Sequence, residues 1–157
     1  MTALTGLIAA AFVAAAVTQG LAQEQTQTRD QKTQIAQAFE HYDAVRTALS
    51  ADTLDGVAGH ARQLAPLAAH LGDSAAKASA DALAAATNLD EAREAFGDLS
   101  ATLVPTFMAS AIPGATGFMC EMKKRPWMQK GDATQNPYYG KSMSTCGTRL
   151  PAAKKNS

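Results

Sequence analysis

Apolar side chains recur every three or four positions between residues 23 and 112, and this period constrains the fold more than any other feature of the chain. Such spacing is typical of helices that bury one face. The first and last stripes are the clearest, and the last helix is expected to begin at Asp90. The first stripe consists of Ile35, Phe39, Tyr42, Val45 and Leu49, and the last of Ala92, Phe96, Leu99 and Leu103.

Two further helices are predicted between these stripes. Ser50 or Asp52 is expected to cap the second helix by accepting hydrogen bonds from its free backbone amides. Pro66 lies inside that helix and removes one of its hydrogen bonds, so we expect a kink or a break there. The third helix is rich in alanine and ends near Asn88, with Leu83 as its only large apolar side chain. The second stripe consists of Leu54, Val57, Ala61, Leu64, Leu67 and Leu71.

The fold class follows from these helices and from the contrasting tail, residues 113–157. Glycine and proline are so frequent in the tail that its regular elements must be short, and no alternating pattern of useful strand length is present. Short connections between helices favour antiparallel neighbours. We therefore predict an all-α fold: an antiparallel four-helix bundle over residues 23–112, with an irregular Cys/Met-containing tail packed on it in the same domain.

The first 22 residues have the composition of a secretory leader. They carry no charge, and the apolar run over residues 7–17 is too short to span a bilayer but long enough for a signal-peptide core. Gly20 and Ala22 place small residues before a cut after Ala22. Because no Lys or Arg precedes the run, the alternatives are a translation start further upstream and an uncleaved weak anchor. We predict an exported mature chain without stable membrane insertion.

Charge is balanced over the whole chain but divided unevenly along it. Fourteen basic residues match fourteen acidic ones, which gives no electrostatic reason to expect a nucleic-acid partner. Residues 24–112 carry a net charge of −6, however, and the tail carries +6.

Sulfur-containing side chains are concentrated in the tail, where they suggest a metal site. Cys120 and Met122 are two positions apart, so an extended backbone would point both sulfurs to one side. Met143 and Cys146 are three apart, so one helical turn would do the same. Thiolate and thioether ligands together select Cu(I) over harder divalent ions, whereas structural zinc sites do not use methionine. Further methionines available as spare ligands are Met119 and Met128.

A disulfide is the alternative reading of the same residues. Two cysteines in an exported chain often pair with each other, and a Cys120–Cys146 bond would stabilise the fold by roughly 3 to 4 kcal/mol in the chain-entropy model. The two interpretations are compatible if the pair is reducible. No C-x-x-C, nucleophile-elbow or phosphate-loop motif is present, so we do not expect an enzyme.

Other residues carry weaker signals. Trp127 is expected to be a packing anchor, with a lid over the metal as the alternative. The three histidines are expected at the surface or at its boundary. Among them, His41 is of most interest, because it borders the first helical stripe, from which it could face the tail. The asparagine of Asn136-Pro137 is expected to start a turn by bonding to its own backbone, and Gly140 to permit a positive φ.

The order of these tail residues is similar to that in a bacterial family, domain of unknown function 3347. The tail of that family reads approximately C-P-M, W, N-P-Y-[FY]-G, M and C-G. In this chain Glu121 stands at the position of the family's proline, so the rigid φ before Met122 is absent. The segment 91–100 also resembles the last helix of the family. The matching tail segments are Cys120-Glu121-Met122, Trp127-Met128-Gln129, Asn136-Pro137-Tyr138-Tyr139-Gly140, Met143 and Cys146-Gly147.

The resemblance implies an exported α-helical domain that is associated with copper and heavy-metal handling. Similar domains occur alone and attached to periplasmic adaptor subunits of metal efflux pumps. Carried onto this chain, the resemblance implies a periplasmic protein for metal resistance, efflux or delivery. The implied ligands of a Cu(I) ion, or of another soft metal ion, are Cys120, Met122, Met143 and Cys146.

Overall fold

The computed structural model describes residues 9–72 and 74–152, with side chains from residue 25 onward. It contains four helices and a three-stranded antiparallel sheet. The helices are α1 (Ala9–Ser50), α2 (Val57–Leu71), α3 (Ser74–Ala85) and α4 (Leu89–Ala109). The strands are β1 (Ala115–Cys120), β2 (Arg125–Lys130) and β3 (Thr148–Arg149), and a short 3-10 helix covers Gly140–Met143.

The chain divides into two compact units, residues 1–33 and residues 34–157. The first unit is described from Ala9 as the beginning of α1. The predicted leader, residues 1–22, lies partly outside the described residues. Of residues 9–22 only the backbone is described, as helix, so the leader stays a prediction. In the part of the chain that the structure describes, no helix is both long enough and apolar enough to cross a membrane.

The helical stripes predicted from the sequence form the core of the second unit. Every side chain of the first and last stripes is buried. Helices α1 and α4 meet through aromatic rings: the ring centroids of Tyr42 and Phe96 are 4.9 Å apart, and those of Phe39 and Phe107 are 5.4 Å apart. Helix α2 packs on α3, which packs on α4. The predictions for these two faces are therefore confirmed.

The start of α2 differs from the prediction. Its N-cap is Gly56, which has a left-handed φ of 76° and offers no side chain to the free amides. Asp52 instead accepts hydrogen bonds from Arg93 and from the Lys141 amide, so it is occupied elsewhere. Helix α2 also continues through Pro66, which lies on its exposed face, so the helix is not broken there and a kink stays a prediction. At α4 the side chain of Asn88 accepts from the Glu91 amide and caps the helix.

The prediction of an all-α bundle with an irregular tail was wrong, because residues 115–149 form a sheet and the fold is mixed α/β. The strand order is β2-β1-β3, and β1 pairs antiparallel with both neighbours. The strands escaped detection because their burial does not alternate. In β2, three consecutive side chains are buried: Trp127, Met128 and Gln129. Pro126 is tolerated because β2 is an edge strand, where one side needs no amide donors.

Candidate functional site

The four predicted sulfur ligands lie in segments that meet at one end of the sheet. Cys120 is the last residue of β1, and Met122 follows it in the β1–β2 loop. Strand β3 runs antiparallel to β1, with Met119 opposite Thr148. The segment that leads into β3, which contains Met143 and Cys146, therefore approaches the same end of the sheet as Cys120. The topology thus gathers two segments that are separated by more than twenty residues of chain.

Asn136 joins the two cysteines. Its fully buried side-chain amide donates a 2.7 Å hydrogen bond to the Cys146 carbonyl and lies 3.5 Å from the Cys120 sulfur. Its side-chain oxygen accepts from the Tyr138 amide at 2.8 Å, which is the turn expected at Asn136-Pro137. Both cysteines are free thiols in the structure. One buried amide therefore holds the backbone of one cysteine beside the thiol of the other.

The two thiols differ in their access to solvent. Cys120 is completely buried, whereas Cys146 is half-buried. The Cys146 amide donates to the Met143 carbonyl at 3.1 Å, so the predicted single turn between these residues is confirmed. A metal ion or a thiol reagent would thus meet Cys146 before Cys120.

Met122 lies apart from this arrangement. The expected extended backbone from Cys120 to Met122 is not found, because β1 ends at Cys120 and a turn follows. Met122 is 60% exposed at the tip of the loop. Met143 is half-buried. Of the two spare methionines, Met128 is buried, and its amide donates to the Tyr42 hydroxyl at 3.3 Å.

Trp127 is a packing anchor, as predicted. It is fully buried, and its ring stacks on Phe118 with the centroids 5.2 Å apart. Its indole N–H donates to the Gln129 side chain at 3.0 Å. A Cβ atom on Gly147 would collide with the Trp127 ring, so the glycine after Cys146 lets the chain pass over this ring. The Trp127 ring therefore forms a wall beside the cysteine segment.

Tyr138 continues this aromatic wall. Its ring packs edge-on against Trp127, with the centroids 6.0 Å apart, and its hydroxyl donates to the Pro126 carbonyl at 2.6 Å. Burial raises the pKa of Tyr138 far above its ordinary range. The phenol is therefore a neutral hydrogen-bond donor that fixes the loop to β2.

A group of hydrogen bonds, called here the polar latch, connects the segment before Cys146 to the helices through Asp52, Arg93 and Lys141. Arg93 donates to the Pro137 carbonyl at 3.0 Å and to Asp52 at 2.5 Å, and the Lys141 amide donates to the second Asp52 oxygen. The Lys141 amide and then the Arg93 guanidinium hold the pKa of Asp52 below its ordinary value. Gly140 has a φ of 54°, and a Cβ there would overlap Asp52. The expected positive φ is confirmed, and a close approach explains the glycine.

The unequal division of charge along the sequence corresponds to ion pairs between the sheet and the helices. Three basic side chains of the β1–β2 hairpin, residues 115–130, each form an ion pair with an acidic side chain of α1 or α4. Glu94 raises the pKa of Lys123, and Lys123 lowers that of Glu94. The pairs are Lys123–Glu94 at 2.7 Å, Arg125–Asp98 at 2.5 Å and Lys130–Glu40 at 2.7 Å.

His41 pairs with His60 of α2, and its contact with the tail stays a prediction. The two Nδ1 atoms are 3.1 Å apart, and both side chains are half-buried. The pair was missed because the two residues are 19 positions apart and lie on different helices. Their helix faces alone gave no signal of this contact.

Within the described residues, no group of three or more His, Cys, Asp and Glu side chains is placed to hold a metal ion. Comparisons of the chain with models of protein families, with curated proteins and with solved structures found no match.

Proposed function

We propose that this chain binds Cu(I), or a related soft metal ion, in the periplasm and serves metal resistance, efflux or delivery. Cys120 and Cys146 supply the thiolates, and Met122 and Met143 supply thioethers. A carrier needs affinity and exchange but no catalysis. A periplasmic adaptor of a metal efflux pump is the partner that the family resemblance suggests.

The observation that carries this proposal is the contact of both cysteines with the side-chain amide of Asn136. A thiolate in the position of Cys120 is fully buried, and a buried charge is costly unless a positive group compensates for it. A bound Cu(I) ion provides that compensation, and the Asn136 side-chain amide lies within hydrogen-bonding distance of the sulfur, at 3.5 Å.

The methionines complete the proposed site in two ways. Met143 lies one turn before Cys146, so its position is linked to that of the thiol. Met122 is exposed on a loop, and its unbranched side chain can swing towards an ion. Soft sulfur donors of this kind suit Cu(I).

The test is an anaerobic Cu(I) titration of the reduced protein without residues 1–22, against a competing chelator. We expect one tightly bound equivalent. Cys146→Ser should abolish tight binding, and Met143→Leu should weaken it by about tenfold, which corresponds to about 1.4 kcal/mol. Met122→Leu should also weaken it, and Cys120→Ser should abolish it.

Met108→Leu is the matched control, because Met108 is a half-buried methionine on α4 and does not belong to the tail segments that contain the proposed ligands. Its variant should retain the parent affinity. Circular dichroism of each variant separates lost binding from lost folding, which matters most for the buried Cys120. Absence of binding, or binding that Cys146→Ser leaves unchanged, would reject the proposal.

A disulfide-stapled helical interaction domain without metal is the second candidate, and the proximity of both cysteines to Asn136 favours it as well. Mass measurement with a thiol reagent, on protein purified without reductant, distinguishes a bonded pair from free thiols. A disulfide whose reduction unfolds the protein, together with no Cu(I) binding, would make the cysteine pair a structural staple.

A further inference from the structure

We propose that His41 and His60 form a second metal site, which takes a borderline divalent cation such as Zn²⁺ through both Nδ1 atoms. The site is independent of the sulfur ligands and does not rest on the function proposed above. It lies between α1 and α2, and its donors are the Nδ1 atoms of the two imidazole rings. Imidazole nitrogen suits zinc, copper and nickel ions.

The separation of the two nitrogens fits chelation. Imidazole nitrogens bind Zn²⁺ at about 2.0–2.1 Å, so two of them 3.1 Å apart subtend an angle of about 98° at the ion. This angle lies between the values for octahedral and tetrahedral coordination. The ring centroids are 5.4 Å apart with an interplanar angle of 46°, so the rings meet at their edges and do not stack.

The metal-free pair is held by one hydrogen bond, in which one Nδ1–H donates to the other Nδ1. Chelation requires a free lone pair on both atoms. The donor ring therefore loses its Nδ1 proton to water and takes a proton from water at Nε2, with no net change in protonation. Each ring must also turn by about 40° so that its lone pair points at the ion, and the broad χ2 torsion of histidine allows this.

Two glycines, Gly56 and Gly59, lie close to His60 in the chain. Gly56 lies against the His60 ring, where a Cβ would come within 3.5 Å of the ring. Gly59 has no neighbouring atom within 4 Å of its Cβ position. Both imidazoles are half-buried, so the helices hold the rings in place while one side stays accessible to solvent. A site with two protein ligands and open positions suits an exchangeable ion more than a permanent structural one.

The test follows the imidazole nitrogens of the ¹⁵N-labelled protein by NMR during a Zn²⁺ titration. We expect the Nδ1 resonances of His41 and His60 to change together up to one equivalent, with both rings ending as the Nε2–H tautomer. His70 is the internal control, because it is exposed and unpaired among the described residues. Its resonances should stay unchanged.

Variants test the same site by affinity. His41→Gln and His60→Gln should each weaken this Zn²⁺ binding on the order of a hundredfold, because a single imidazole lacks the chelate. His70→Gln should remain within about twofold of the parent. Zn²⁺ binding at the cysteines would leave the imidazole resonances unchanged and would persist in all three histidine variants. Imidazole spectra that do not change, or that change for only one ring or equally for all three, would overturn the proposal.

Discussion

At the scale of single residues, several tail positions singled out by the sequence have identifiable packing roles. Gly147 passes over the Trp127 ring, and Gly140 approaches Asp52 more closely than any side chain would allow. Asn136 uses its side-chain amide and carbonyl to connect both cysteines with the following turn. Asn136 thereby holds the Cys146 backbone beside the Cys120 thiol.

Gly140→Ala should destabilise the protein strongly, for two separable reasons. Its positive φ costs an alanine about 1 kcal/mol, and the new methyl group must displace Asp52 and Arg93, for a total of about 3 kcal/mol. Gly131→Ala is the matched control, because Gly131 has a φ of 81° and no atom near its Cβ position. Urea unfolding of both variants measures the difference, and equal losses of stability would contradict a role for the close approach.

At the scale of elements, the latch of Asp52 and Arg93 connects the α1–α2 loop and α4 with the 3-10 helix. Asp52 follows the end of α1, Arg93 belongs to α4, and Lys141 lies in the 3-10 helix. The three exposed ion pairs between the hairpin and the helices supplement this latch. Each contributes little to the free energy of unfolding, because water and salt screen exposed charges.

Asp52 should make stability depend on pH in the acidic range. Because its pKa in the folded protein is lower than its ordinary value of 3.8, the ionised carboxylate stabilises the fold above that value. This contribution is lost as the pH falls through the lowered pKa. Asp52→Asn should therefore be less stable than the parent at neutral pH, and the difference should shrink as the pH falls below 3.8.

Urea unfolding over a series of pH values measures this difference. Asp55→Asn is the control, since the Asp55 carboxylate has no hydrogen bond or ion pair within the described residues. Its loss of stability at neutral pH should be smaller than that of Asp52→Asn. A constant difference between Asp52→Asn and the parent down to the lowest pH would argue against the latch.

At the scale of the whole unit, residues 34–157, the sheet and the helices share one core. Tyr42 of α1 contacts Phe96 and Phe107 of α4, and its hydroxyl accepts from the Met128 amide of β2 while it bonds to Ser100. Burial raises the pKa of Tyr42 well above its ordinary range, so its hydroxyl stays neutral. If the sheet unfolded, these aromatic side chains would lose packing contacts and become exposed to solvent.

Sheet and helices should consequently unfold together. Trp127 is the only tryptophan of the chain and belongs to β2, so its fluorescence reports on the sheet. Far-ultraviolet circular dichroism reports mainly on the helices. We expect the two urea transitions to coincide, as they do in a two-state transition. A fluorescence transition at lower urea than the loss of helix would show that the sheet is a separate and weaker unit.

The sequence alone determined the parts of the fold that depend on local period and turn chemistry. The buried faces of α1 and α4 follow from apolar spacings of three and four residues, because one helix turn brings these positions to one side. The Asn136 turn, the Met143–Cys146 turn and the positive φ of Gly140 were likewise predicted, since each depends on a residue and its close neighbours in the chain.

Tertiary structure decided the features that depend on distant pairing. The sheet was missed because both of its faces contain buried side chains, so no alternation marks β1 or β2. Three contacts of this kind join residues of separate elements. Cys120 lies near Cys146, Asp52 accepts a hydrogen bond from Arg93, and His41 pairs with His60. From residue types alone one can predict a set of metal ligands, but only the packing of the elements decides which side chains come into contact.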